Sequence, residues 1–344
     1  MTTTTTSASG ANRGVRVIDH QPAGPALYTF GGVPPVAEIR PGDVLRTFTE
    51  DCFGGAVRTV DDLPSEVCAQ FNPVTGPFHV VGAEPGDTLA LHFAAIAPAR
   101  DWGMSATFPH FGALTSTHTT PTLQPPLEER VWQYDLNLQT GTVRYAARRS
   151  DFVVELPLDA MLGTVGVAPA HGEVRQSIVP DAHGGNLDTP QLRPGTTLYL
   201  GVNVPGALFA LGDGHARQGH GEVCGVAVEC AMHVTVAVDL IKQVATPWPR
   251  IETDTQLISI GAARPLEDAY RISQQDLVGW VVELTGLELL DAYQLVSQAG
   301  QAAPGNVCDP LYTMHAAIDT AVLRGATAYG GAHRRLRALV RPMR

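Results

Sequence analysis

Glycine and proline interrupt this chain so often that extended helices have room at only one end of it. Of 344 residues, 35 are glycine and 26 proline, roughly 18% where ~12% is usual. Between these turn residues lie short stretches in which apolar and polar side chains alternate, the period-two signature of half-buried strands. Residues 14–18, 37–39, 43–48 and 88–96 read this way, and residues 132–138 and 142–148 form a hairpin around Thr140-Gly141. The run 161–172 carries too much glycine for a helix. Further strand signals cover 196–204, 206–211 and 222–240.

Helical periodicity first dominates at 265–283, where Pro265 suits a first turn and Leu277, Trp280, Val281 and Leu284 recur on one face. Residues 288–298 and 312–323 read as two more helices. The expected fold is mainly β, a sandwich or barrel-like body of many short strands, with a smaller α+β C-terminal portion. Its expected divisions are a disordered tail at 1–12, a mainly β catalytic domain at 13–245, an α+β portion at 246–330 that completes the fold, and a basic tail at 331–344. Residues 100–130, polar and aromatic with four prolines beginning at Pro109, read as a long loop or lid.

Charge bounds the partners. With 23 Lys+Arg against 34 Asp+Glu and a net charge of −11, neither nucleic acid nor an anionic membrane is expected to bind. The longest apolar run, 223–241, contains Glu229, His233 and Asp239, which a membrane span would not carry unpaired. Five scattered cysteines without a CxxC read as reduced thiols, and the polar Thr/Ser start has no apolar signal core, so a cytoplasmic protein is expected.

Lys242 is the sole lysine. It lies in Leu240-Ile241-Lys242-Gln243, without the glycines of a phosphate loop. No kinase lysine or Schiff-base lysine is available elsewhere. Ser-Ser-Lys and Glu-Lys-Cys amide-hydrolysing designs are excluded on the same ground. G-x-S-x-G, H-E-x-x-H and a strand-linked G-x-G-x-x-G are also missing. His220-Gly221-Glu222 imitates the H-x-E of zinc deaminases but no P-C-x-x-C follows.

Polar residues concentrate in three glycine-rich segments: Thr49 to Gly55 with Asp51; His183-Gly184-Gly185-Asn186-Leu187-Asp188; and Gly212 to Glu222 with Asp213, His215, Arg217 and His220. Tight glycine turns let neighbouring side chains converge, and mixed Asp and His donors suit zinc or a similar divalent ion. If 222–240 is one strand, Glu222 heads an almost wholly apolar face, where a carboxylate needs a cation or a role as general base; if Glu222 lies outside the strand, it only caps a turn.

The block 72–87, the run 163–169, the segments 183–188 and 212–222 and the stretch Leu290-Asp291-Ala292-Tyr293-Gln294-Leu295-Val296-Ser297 together resemble the acetamidase/formamidase family, in family order over roughly residues 40–325. The resemblance implies a mainly β architecture, a homo-oligomer, a divalent metal with zinc foremost, and hydrolysis of short linear amides of the formamide and acetamide type to carboxylate and ammonia. Some similar enzymes act on small lactams. Where the family pattern reads Gln-Gly-Asp-Gly-Glu, this chain has His220 in place of the acid. On this reading Asp51, His183, Asp188 and His215 hold the metal, Glu222 is general base and then acid, Asp213 orients a histidine, and Asn186 and His220 meet the substrate. The alternatives are a lactam hydrolase on the same site, a cupin-type metal oxidoreductase, and a non-catalytic protein that binds a metal or small ligand.

Overall fold

The computed structural model describes residues 15–115 and 125–340. Two large sheets form the body. Along the nine-stranded sheet, Val44–Thr49, Met232–Ile241, Thr88–Pro98 and Thr197–Gly201 lie side by side, and Arg250–Glu252, Gln256–Ala263, Tyr312–Asp319 and Gln301–Pro304 extend it. The second sheet has ten strands and runs from Val153–Pro157 through Trp102–Thr107, Val228–Glu229, Phe209–Arg217 and Met161–Gly166 to Gly184–Asn186. The β-rich expectation with a helical C-terminal portion holds.

Alternation explains how the sheets meet. Along Met232–Ile241, Met232, Val234, Val236 and Val238 enter one core cluster with Leu91 and Phe93 of the first sheet and Leu162, Val165, Phe209 and Leu211 of the second. The opposite face of the nine-stranded sheet is covered by helices. Leu277, Trp280 and Val281 of Leu266–Thr285 pack on Leu257, Ala316 and Ile318. Arg250, buried beneath that helix, is paired with Asp276 at 2.8 Å, which anchors the helix to the sheet.

Three expectations differ from the structure. Residues 312–323 are not a helix: Tyr312–Asp319 is a strand, because Gln256–Ala263 and Gln301–Pro304 hydrogen-bond to it on both sides and tertiary pairing overrides a weak helical pattern. Residues 222–240 are not one strand: 222–227 is irregular, Val228–Glu229 pairs with His215–Arg217, and Met232–Ile241 belongs to the other sheet. Within the expected basic tail, Ala332–Val340 is a helix whose Ala332, Leu336 and Val340 bury against Val44, Ala90, Tyr199 and Ala237. Its cations find acids within the same chain, Arg337 at Asp254 and Arg335 at Asp239. The expected tail at 1–12 lies outside the described residues, as does the middle of the expected lid; Trp102–Thr107, at the lid's start, is a strand.

The sole lysine is structural. Lys242 Nζ bonds Asp87 and the carbonyl of Gly82, closing a turn. All five cysteines are free thiols. Among the described residues, no helix is long and apolar enough to cross a membrane.

Candidate active site

Four neighbouring strands of the ten-stranded sheet bring the acids together. The order Val228–Glu229, Phe209–Arg217, Met161–Gly166, Gly184–Asn186 sets Glu229 opposite His215, and Thr164 opposite both Gly212 and Asn186. Asp213 and His215, two apart on one strand, share a face. Gly163 lies opposite Asp213 in this register, and a Cβ there would collide with carboxylate oxygens of both Asp188 and Asp213. Glycine at 163 is therefore what lets the two acids approach.

The rest of the site comes from loops. Glu222 sits in the turn after Phe209–Arg217, which is tied to the 304–307 loop by Gly221 N–H to Gly305 O at 2.9 Å and Val307 N–H to Gly221 O at 3.0 Å. That loop delivers Cys308 and Asp309. Four residues of the site, Asn72, Asp188, Asp213 and Glu222, have φ between 41° and 60°, a region that costs a non-glycine residue energy and is retained where the surroundings over-determine it.

A polar web locks these side chains. Asn72 Nδ2 donates to Asn186 Oδ1 and Asp213 Oδ2, both at 3.0 Å. Thr164 Oγ1 donates to Asp213 Oδ2 at 3.2 Å and to Asn186. Asn186 Nδ2 donates to Asp188 Oδ2 at 2.6 Å and to Asp309 Oδ2 at 2.7 Å. Glu229 accepts from the backbone N–H groups of Cys52 and Ala227 at 3.2 and 3.0 Å. Cys308 Sγ donates to Glu222 Oε2 at 3.4 Å.

Electrostatically the site is lopsided. Asp188, Asp213, Glu222, Glu229 and Asp309 are all buried around one imidazole, His215. Burial pushes Asp188, Glu222, Glu229 and Asp309 far above the carboxylate range, and the neighbouring acids push them further. Burial alone would lower His215, but Glu229 and Asp213 override it and hold the imidazole well above its ordinary range.

The tautomer of His215 sharpens the imbalance. Gln218 Nε2 donates to the carbonyls of Asp188 and Gly305 at 2.7 and 3.1 Å, so its Oε1 is the atom left to face His215 Nδ1 at 3.0 Å. Nδ1 therefore carries the proton in the neutral ring. The other nitrogen, Nε2, faces Asp213, Glu229 and Asp188, at 3.1, 3.4 and 4.0 Å; its proton is the one these carboxyls retain and the one a bound cation would replace. Asp188 Oδ1, fully buried, has no hydrogen-bond partner among the described residues. Five buried acids around a single imidazole, beside an orphaned carboxylate oxygen, call for further positive charge.

The donors suit a divalent ion. Asp188, His215 and Glu222 offer atoms within 4.8 Å of one another, and Cys52, Asp213 and Glu229 form a second such group.

The sequence-derived candidates divide. Asp188, Asn186, Asp213, His215 and Glu222 converge. Asp51 adjoins them, but one oxygen accepts from Gly55 N–H at 3.0 Å and the other is taken by Arg100. His183 packs edge-on against Phe30, its centroid 5.3 Å away, and burial lowers its pKa to about 4. His220 is exposed and lies against His315, with ring centroids 5.4 Å apart. Neither His183 nor His220 lines the acid cavity. Sequence reasoning passed over Glu229, Asp309, Asn72, Thr164 and Gln218. Asn72 stood inside a matched block and could have been nominated; Glu229 was hidden by the assumption of one continuous strand.

Above the acids the cavity opens to about 320 Å³ between apolar walls that include Phe53, Phe71, Phe108 and Phe111. The sequence profile of the Acetamidase/Formamidase family matches residues 30–172 and 154–303. The chain belongs to this family. A solved acetamidase from Yersinia enterocolitica is 40% identical, with a TM-score of 0.82 over 91% of this chain and 95% of that one. A formamidase from Methylophilus methylotrophus is 26% identical over 259 residues, 61% of this chain and 62% of its own length, so the match spans about three fifths of that relative. A gamma lactamase from Delftia acidovorans shares the fold alone, at 21% identity and a TM-score of 0.54. All five converging candidates fall inside the profile match; Asp309 lies just beyond its end.

Proposed function

We propose that the chain hydrolyses the carbon–nitrogen bond of small primary amides, with formamide and acetamide as the starting class, to carboxylate and ammonia. Family membership supports the reaction, and the observation that carries the site is His215 Nε2 facing three buried carboxyls. The reading extends to a divalent cation, zinc foremost, held by Asp188 and His215 with Asp213 as a further carboxylate, which leaves Glu222 free for proton transfer. Asp51, in this account, positions Arg100 and the 50–55 turn and is not a ligand; His183 supports the packing around Phe30.

An amide is a poor electrophile with a poor leaving group. A bound divalent cation would polarise the carbonyl and acidify the attacking water. The chain's own groups do the rest. A floor of carboxyls offers acceptors to the two N–H bonds of the amide, which selects an unsubstituted nitrogen. Glu222, whose buried carboxyl readily holds a proton, takes one from water and returns it to the departing nitrogen. Gln218, which accepts from His215 Nδ1, orients the ring, while Glu229, held by two backbone N–H groups, and Asp213, fixed by Asn72 and Thr164, flank Nε2. Ammonia leaves as a cation from surroundings rich in negative charge.

The remaining features fit a cytoplasmic homo-oligomer: reduced thiols, no apolar spanning helix among the described residues, and an exposed apolar patch of Tyr270, Leu289, Leu290 and Tyr293 suited to a second copy. A cupin-type site would bring more than two histidines to one point; here one histidine converges. The test is metal analysis of purified protein, then ammonia release from formamide, acetamide and a small lactam before and after chelation. Full activity without metal, or unchanged activity in Glu222→Gln, would sink the mechanism; turnover of the lactam alone would favour the cyclic-amide alternative.

A further inference from the structure

The cavity, acids and aromatic walls together, is far larger than the shortest amides need. Beyond its carbonyl, formamide carries only hydrogen and acetamide one methyl. A volume of about 320 Å³ holds roughly ten waters and lies at the lower edge of sites for drug-sized ligands, ~300–1,000 Å³. Its apolar walls are aromatic. Phe53 meets Phe71, Phe71 meets Phe108 and Phe108 meets Phe111, at centroid separations of 6.4, 5.9 and 6.1 Å and interplanar angles of 69°, 89° and 87°. Ile178, Val226 and Pro109 add to the lining, and His110 is the polar side chain among these walls. Phe71, Phe108 and Phe111 are only partly buried, so part of this aromatic surface faces the cavity and is not spent on the protein core.

The aromatic wall is fastened to the acid. Ala113 N–H donates to Val223 O at 2.8 Å, and a Cβ on Gly225 would strike the ring of Phe111. The loop bearing Phe108 and Phe111 thus rests on the turn that carries Glu222. A group seated on the rings is held at a set distance from the carboxyls.

We infer that this site takes primary amides with an arene-bearing acyl group, the ring lying among the phenylalanines and the amide lying on the acids. The inference rests on the amidase reading above. An arene meets both the edges and the faces offered by rings arranged edge to face. It also gives up less rotamer freedom on binding than an alkyl chain of equal size. The chemistry is unchanged: the water oxygen bonds to the carbonyl carbon, the carbon–nitrogen bond breaks, and phenylacetamide plus water gives phenylacetate and ammonium.

The experiment measures ammonia release from acetamide, hexanamide and phenylacetamide by the metal-loaded full chain. The expected kcat/KM for phenylacetamide exceeds that for acetamide by ~10-fold or more, since one methylene alone can be worth ~10–200-fold in an apolar pocket. Hexanamide is expected to fall below phenylacetamide. Phe108→Ala and, as a milder second variant, Phe71→Leu should each shrink the phenylacetamide-to-acetamide ratio several-fold. Acetamide matching or beating phenylacetamide would overturn the inference and leave the amidase reading standing. So would hexanamide matching phenylacetamide, or a ratio unmoved in both variants. No ammonia from any of the three would overturn the amidase reading and this inference with it.

Discussion

Gln218 decides which nitrogen of His215 faces the acids. Its amide nitrogen is committed to the carbonyls of Asp188 and Gly305, so its oxygen accepts from His215 Nδ1 at 3.0 Å and leaves Nε2 for the carboxyls. Partners of this kind typically contribute 10–100-fold to metal affinity. Gln218→Met is therefore expected to weaken zinc binding by about that factor, read by competition with a chromophoric chelator. Unaltered affinity would mean that Gln218 does not set the tautomer.

Gly163 is expected to tolerate no side chain. The added Cβ of Gly163→Ala meets Asp188 and Asp213 at once, and a displacement of about 1 Å at a catalytic constellation can cost ~100-fold in rate. The variant should fold, since the collision involves side-chain oxygens, and lose about two orders of magnitude in kcat/KM. Circular dichroism beside an activity assay separates this from simple unfolding.

The acid cluster should cost stability when no cation is present. Asp309 is buried beside Asp188 and Glu222; burial and Glu222 press its pKa upward, and Asp309 in turn presses that of Asp188 upward. Asp309→Asn replaces a carboxyl that the fold must keep protonated with a neutral amide, and keeps an acceptor for Asn186. Its chelated form is expected to melt a few degrees higher than the chelated parent, corresponding to about 1 kcal/mol. Adding zinc should then raise its Tm by less than it raises the parent's. A lower Tm for the chelated variant would show that the five carboxyls are not in conflict.

A pH effect arises away from the cavity. Glu252 is buried against Tyr199, whose hydroxyl donates to it at 2.6 Å, and burial lifts its pKa from 4.5 to about 7. The folded state holds this proton more tightly than the unfolded one. The stabilisation is complete below pH 4.5 and is lost as pH rises through about 7. The full swing is on the order of 3 kcal/mol. Urea titrations of the parent and of Glu252→Gln across that window should show a falling component present only in the parent.

Much of this was legible in the sequence, for identifiable reasons. Asp188, Asp213, His215 and Glu222 stood out because they lie beside glycines, and crowded backbone at a site leaves that trace. Glu229 left none: its neighbours read as one apolar strand, and only the change of sheet between Val228–Glu229 and Met232–Ile241 turns it towards His215. Asp309 lies 80 residues beyond Glu229, the nearest other acid of the cluster, and a contact across that separation has no local pattern. His183 drew notice through its glycine-rich segment, and its ring packs on Phe30, far away in sequence.

The sequence by itself determined the class of fold and the kinds of side chain available for chemistry. Period-two alternation broken by glycine and proline admits little but short strands, and a chain with one lysine and several glycine-flanked acids and histidines has few means of breaking an amide. Tertiary structure decided which acids meet, which nitrogen of His215 they see, and how wide the pocket above them is. Those properties depend on strand register, on the packing of distant loops and on which neighbour occupies each donor, and all three come from contacts between segments that are far apart along the chain.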